Sequence, residues 1–319
     1  MKVSLINIDS VIPNLALEKI AMYHQQRGDE VVWDMPIMKA DKTYVACVFD
    51  FNKHKCMEWQ GKAEIGGSGW SLESVLPPDI DAMKPKINFG FTTRGCIRNC
   101  HFCIVPKKEG KIHIVGDIYD FWDGHTKLLT VMDNNILAIP EHFKTIIAQV
   151  RKENLTVDFN QGLDCRLLTE ELCQELLSVK RKETRFAFDS MGVMPAVERS
   201  CNLLKKCGQK EWDSRWYVYA GPENTFEDVF ERINFLRDRQ QGVYLMRDKK
   251  CYDRPDLIAL ASWCGQMAVF AQAGFAEALN TKRLSPYRKL FPQFDHTIIN
   301  SKEKSLIPDD RCFKDKYRL

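Results

Sequence analysis

The stretch Thr93-Arg94-Gly95-Cys96-Ile97-Arg98-Asn99-Cys100-His101-Phe102-Cys103 sets three cysteines in a CxxxCxxC spacing, with no fourth cysteine close by. Three soft thiolates on one short loop can bind three irons of a cubic 4Fe–4S cluster and leave the fourth iron open. A cluster used only for electron transfer normally closes all four positions, so an open iron predicts that a cofactor or substrate binds there. The competing reading is structural zinc, which wants four ligands in a tetrahedron. His101 is the one local candidate for a fourth, but it adjoins Cys100 and is hard to aim at the same centre.

The remaining cysteines (Cys47, Cys56, Cys165, Cys173, Cys201, Cys207, Cys251, Cys264 and Cys312) are scattered along the chain. Most read as small buried hydrophobes in a reduced compartment. Cys251, Cys264 and Cys312 offer a second cluster no tight spacing. The first residues lack the order of a secretory signal, and no apolar run is long enough to span a bilayer, so a cytoplasmic protein without membrane contact is expected. With 319 residues and 45% hydrophobic content the chain can build one large domain and a small one. The net charge of +3 is uneven, because basic residues outnumber acidic ones from Lys282 onward. That tail reads either as a solvated face or as a surface for the phosphates of a nucleic acid.

Short apolar runs predict strands at 87–93, 127–133, 155–161, 184–189, 216–220 and 243–247. From the second onward they recur at the length of a βα unit. Helical stripes fill the gaps: Phe143, Ile146, Ile147 and Val150 after Pro140; Leu172, Cys173, Leu176 and Leu177 after a Thr169 cap; Val197, Cys201 and Leu204 before a Gly208 stop. Asn224-Thr225-Phe226-Glu227 reads as a capping box before Val229, Phe230, Ile233 and Leu236. The fold class expected is α/β, a partial parallel (β/α)6 barrel preceded by a small open α/β domain. Chemistry in such barrels sits at the C-terminal ends of the strands. Those ends are polar here: the cysteine loop, Asp133-Asn134-Asn135, Asn160-Gln161-Gly162, Asp189-Ser190, Gly221-Pro222-Glu223 and Arg247-Asp248. Ordinary turn and cap chemistry also favours such residues at single positions. A whole ring of them reads as a rim built for a polar cofactor.

With the aromatic Phe102 before its last cysteine, the triplet resembles the signature of the radical S-adenosylmethionine (radical SAM) superfamily. The resemblance is good from Phe89 to about Asp248 and loose over the first eighty residues. It implies that Cys96, Cys100 and Cys103 bind a 4Fe–4S cluster whose open iron is chelated by SAM. A flavodoxin or ferredoxin would reduce the cluster, and SAM would split to methionine and a 5′-deoxyadenosyl radical that takes a hydrogen atom from the substrate. It further implies Phe102 near the adenine, and Asp133, Asn134 and Asn135 in the place of a Gly-Gly-Glu motif that meets the methionine ammonium, although the letters differ. Asp189 and Ser190 fall where ribose hydroxyls or the SAM carboxylate bind. Gly221 and Met246 fall beside adenine, with Asn224 standing where a glutamate is usual. Gln161, Asp164 and Arg166 would face cofactor or substrate, and Arg94 and Arg98 would steer a carboxylate or an acidic electron carrier.

The first part of the chain resembles the cobalamin-binding-like domain that precedes many radical SAM barrels. Strands are expected at 3–8, 30–33 and 44–49, a helix at 15–27, and a tight turn at Gly66-Gly67. The DxHxxG segment that ligates cobalt is absent, so bound cobalamin is not expected. The domains expected are 1–84, 85–255 and a helical, basic extension at 256–319. Thr93-Arg94-Gly95-Cys96 also resembles methylthiotransferases, which carry three further N-terminal cysteines where this chain has Cys47 and Cys56. The readings left open are hydrogen abstraction from an unidentified substrate that bears a nucleotide, methyl or methylthio transfer, and a non-catalytic Fe–S or zinc scaffold or sensor.

Overall fold

Four successive residues, Val3 to Ile6, are buried, as expected of a strand covered on both faces in a parallel sheet. The computed structural model describes residues 1–35 and 39–294. Strand β1 (Lys2–Asn7) pairs in parallel with β2 (Glu30–Trp33) and β3 (Lys42–Ala46), and β3 pairs with β4 (Glu64–Gly66). Helix α1 (Leu15–Gln26) starts where the Asn14 side chain accepts from the Leu17 N–H, and buries Leu17, Ile20 and Ala21 with Val3, Leu5 and Tyr44. The expected turn follows β4 directly, with the Trp70 N–H donating to the Gly67 carbonyl at 3.1 Å. Gly66 ends the strand, and Gly67, at φ +96°, lets the chain pass so close to β3 that a Cβ would stand 2.2 Å from the Cys47 carbonyl oxygen.

The order β2-β1-β3-β4 reverses direction between β1 and β3, the place where open α/β sheets usually bind ligands. Here Asp9 occupies it. Its carboxylate accepts from the backbone N–H groups of Val48 (2.8 Å) and Phe49 (2.9 Å) and from Asn52 Nδ2 (3.2 Å). Burial pushes this carboxyl up, but those donors outweigh it and hold the group below its ordinary range.

After helix α2 (Pro78–Asp81), the expected strand at 87–93 is split. β5 (Phe89–Gly90) joins a parallel sheet, while β6 (Thr93–Arg94) pairs antiparallel with β7 (His113–Ile114). Between β6 and β7 lie the cysteine loop and helix α3 (Val105–Lys108). The parallel sheet continues through β8 (Leu128–Val131) and β9 (Thr156–Phe159) to β10 (Lys180–Arg181), a strand with no sequence expectation. Helix α4 (Pro140–Lys152) begins with its proline and buries Phe143, Ile146, Ile147 and Val150, with the Phe143 ring 5.8 Å from Phe159. These elements, from Met1 to Gln161 with 179–181, form one compact unit.

A second unit takes the rest. Its sheet is parallel, β11 (Thr184–Phe188), β12 (Ser214–Ala220) and β13 (Gly242–Arg247), with Phe186 opposite Trp216 and Trp216 opposite Val243. Helix α5 (Glu170–Leu177) carries the expected Thr169 cap, and α6 (Met194–Lys206) stops before Gly208 at φ +87°. Helix α7 (Phe226–Arg237) is capped by Thr225 onto the Asp228 N–H, one residue later than the expected box. Asn224 instead accepts from the Gly221 N–H at 2.8 Å. Helices α8 (Pro255–Cys264), α9 (Met267–Gln272) and α10 (Phe275–Ala278) follow β13. Trp263, Phe270, Phe275, Phe291 and Phe230 pack there as an aromatic cluster with several centroid separations near 5 Å.

The architecture is therefore α/β with parallel sheets. Five of the expected runs and the β5 part of the first fall in two parallel sheets, and strand pairing closes no barrel among the described residues. Cys312 and the basic residues Lys302, Lys304, Arg311, Lys314, Lys316 and Arg318 lie outside the described residues. No described helix is long and apolar enough to cross a membrane.

Candidate cluster and cofactor site

The cysteine loop is rooted by two carboxylates. At its entrance Asp133, 4% exposed at the end of β8, accepts from the N–H groups of Thr92 (2.6 Å) and Thr93 (3.0 Å) and from the Thr92 hydroxyl. Those N–H groups turn to a side chain rather than a ladder, which is why the expected long strand breaks here. The Thr92 hydroxyl also meets His142 Nε2 at 3.0 Å. Burial pushes the Asp133 carboxyl above its ordinary value despite the donors from Thr92 and Thr93, and burial pushes His142 below its own. Glu109, just past α3, supplies the second root. It accepts from the Gly95 N–H (2.9 Å) and Asn134 Nδ2 (2.8 Å) and pairs with Arg94 (2.9 Å), whose guanidinium lies over the Phe91 ring.

Gly95 takes φ +79°, and a Cβ there would stand 2.4 Å from the Lys111 carbonyl oxygen. The backbone N–H of Cys96 donates to the Gly110 carbonyl at 3.2 Å, and that of Cys103 to the Cys100 carbonyl at 3.0 Å. Cys96, Cys100 and Cys103 are all half-buried. The Arg98 N–H lies 3.3 Å and Asn135 Nδ2 3.6 Å from Cys96 Sγ. Phe102 is half-buried, its ring edge-on to His101 at 5.2 Å.

Three half-buried thiols on one loop are the kind of donor set an Fe–S cluster takes. Among the described residues no three His, Cys, Asp or Glu side chains converge as one ion would require. A cubane takes one thiolate on each of three irons, so its sulfurs need not converge. Most of the other described cysteines are buried, unlike those of the loop, although Cys207 is half-buried as they are. Cys47, Cys165 and Cys201 are buried and their thiols are pushed up to about 12 by burial. Burial likewise raises Cys251 and Cys264, as befits core residues rather than ligands.

Of the remaining candidates, Gln161 belongs to the first unit, exposed, with Nε2 3.9 Å from Met132 Sδ. The others belong to the second unit. Asp189 and Ser190 follow β11, and Ser190 precedes a short helical turn at 191–193. Gly221 follows β12 and is buried, and a Cβ there would stand 2.6 Å from the Tyr219 hydroxyl and 2.5 Å from Glu223 Oε2. Met246, 37% exposed on β13, borders a cleft of about 300 Å³ with Tyr244, Tyr252, Ala261 and Gly265. Asp164 and Arg166 satisfy each other, with Arg166 Nε 2.6 Å and Nη2 3.1 Å from the carboxylate.

Sequence reasoning missed Glu109, His142 and, above all, Arg232. Arg232 is fully buried in α7, and its Nη1 donates to the carbonyl oxygens of Phe188 (3.0 Å) and Tyr219 (2.8 Å). Asp228 balances its charge at 3.1 Å. The guanidinium thus ties together the ends of β11 and β12, from which Asp189 and Gly221 follow. Its signal was a lone charge inside the apolar stripe Val229, Ile233 and Leu236. Glu109 gave none, since its partners are distant in sequence.

No protein-family model matches the chain, and no curated protein is significantly similar to it. Among solved structures it is similar to the radical S-adenosylmethionine methyltransferase TsrM from Kitasatospora setae, determined with cobalamin and a [4Fe-4S] cluster bound. The TM-score is 0.57 at 12% sequence identity, over 77% of this chain and 74% of that one. The likeness is one of fold alone.

Proposed function

We propose that the chain is a radical SAM enzyme in which Cys96, Cys100 and Cys103 hold three irons of a 4Fe–4S cluster and the fourth iron is open to SAM. The observation that carries this reading is the half-buried three-cysteine loop, rooted through Asp133 and Glu109 beside a parallel sheet. When bound, the cluster and SAM supply a 5′-deoxyadenosyl radical that takes a hydrogen atom from the substrate. The chain's own residues hold and orient those groups. Asp133 and Glu109 hold the loop, and Asn134 and Asn135 bring amides to it. Phe102 and Gln161 stand for contacts to cofactor or substrate, and Asp189, Ser190, Gly221 and Met246 for the ribose, carboxylate and adenine contacts. The finer fold reading is a partial (β/α)6 barrel at 85–255, between a small α/β domain at 1–84 and a basic helical extension from 256. It rests on the order of strands and helices along the chain.

A cytoplasmic flavodoxin or ferredoxin is the proposed reductant, and a nucleotide-bearing molecule the proposed substrate class. Methylthio transfer is disfavoured because Cys47 and Cys56 are both core residues. Anaerobic reconstitution tests the proposal. The chain should take up roughly four irons and four sulfides and, with dithionite and SAM, release 5′-deoxyadenosine. Cys100→Ala should lose both. One equivalent of zinc, or a cluster inert to SAM, would overturn the reading in favour of a scaffold or sensor.

A further inference from the structure

Two N–H donors converge on the sulfur of Cys96. One is the backbone N–H of Arg98 at 3.3 Å, and the other is Asn135 Nδ2 at 3.6 Å. A thiolate accepts and cannot donate, so Asn135 presents its amide nitrogen to it rather than its oxygen. Asn135 is 2% exposed and precedes a turn at 136–138 whose Ile136 and Leu137 are buried, so its side chain is held away from water. The three residues after β8 divide the support of the loop between them. Asp133 takes the N–H groups of Thr92 and Thr93, Asn134 reaches Glu109 with the Gly95 N–H, and Asn135 faces a ligand sulfur.

Hydrogen bonds to cluster sulfurs are among the terms that set an Fe–S reduction potential. Reduction adds an electron whose charge is shared with the thiolates. A donor aimed at one of them therefore stabilises the reduced state more than the oxidised state, and burial strengthens the effect.

We infer that Asn135 is a positioning residue that raises the reduction potential of the cluster by donating its side-chain N–H to Cys96 Sγ. The inference rests on the cluster reading above. Asn135→Leu removes the donor while keeping the branched shape, and Asn135→Asp replaces it with an acceptor. The measurement is the midpoint potential of the anaerobically reconstituted full chain without SAM, followed by EPR, with iron and sulfide counted in the same samples. Both variants should load as the parent does and shift to more negative potential. The expected change in the reduction equilibrium is up to about tenfold for Asn135→Leu, equivalent to about 59 mV, and larger for Asn135→Asp. If either variant fails to load, the other carries the test. A loaded variant with the parental potential, or loss of the cluster from both, would show that Asn135 only packs the loop and would overturn the inference. A parent chain that takes up no cluster would instead overturn the reading beneath it.

Discussion

Arg232 shows how one side chain can serve two strand ends. It has no exposed surface, and three of its contacts are to the Phe188 carbonyl, the Tyr219 carbonyl and the Asp228 carboxylate. Burial lowers its pKa from the ordinary value, while Asp228 opposes that. Arg232→Met would fill much of the volume but strand two carbonyl oxygens. Each stranded group costs on the order of 1–3 kcal/mol, so the variant should lose roughly 2–6 kcal/mol in urea unfolding. A loss within about 0.5 kcal/mol would mean that water replaces the guanidinium. Asp133 has the opposite balance. Burial makes its folded carboxyl keep a proton above the ordinary value of 3.8. The stability this proton contributes is full below the unfolded pKa and falls as pH rises through the folded one. Asp133→Asn is neutral throughout, so the wild type should lose stability relative to it as pH rises above about 4. A flat or rising difference, measured by urea unfolding across that range, would show that the Thr92 and Thr93 donors win over burial.

At the scale of elements, most strands and helices were legible and the loops' anchors were not. α4, α5 and α6 follow apolar stripes and caps that are local in sequence, and the structure repeats them within a residue or two. The run at 87–93 broke because its alternation of Ile87, Phe89 and Phe91 continues while its hydrogen bonds do not. Thr92 and Thr93 give their N–H groups to Asp133, about forty residues away. The turn expected at Gly66-Gly67 begins as β4 ends, and the register of β3 and β4 brings its backbone against Cys47. Gly95 is the hinge of the cysteine loop at this scale. Gly95→Ala puts a methyl 2.4 Å from the Lys111 carbonyl and forces a positive φ on a residue that resists it. It should lower iron uptake on reconstitution severalfold with little effect on far-UV circular dichroism; uptake equal to the parent would show that the loop relaxes without cost.

At the scale of the molecule, the likeness to a cobalamin-containing methyltransferase raises the question of that cofactor in the N-terminal sheet. Asp9 ties the β1 loop to Val48, Phe49 and Asn52, and glycines 67 and 69 lie in backbone contact with Cys47 and Phe49. The chain's own Asp9 contacts thus lie at the crevice between β1 and β3, and we propose that no cobalamin binds. Hydroxocobalamin mixed with the chain should therefore separate from it on gel filtration, and co-elution at about one equivalent would refute this.

Two kinds of information reached the sequence by itself. Cys96, Cys100 and Cys103 stand within one loop, so their shared chemistry needs no fold to bring them together. The βα alternation is written in apolar periods that local backbone geometry imposes. What the tertiary structure decided is everything carried by partners far apart in the chain: Asp133 on Thr92 and Thr93, Glu109 joining Gly95 to Asn134, Asn135 on Cys96, and Arg232 across two strands. Charged and amide groups obtain these roles from burial and from strand register, and neither exists until the chain has closed on itself.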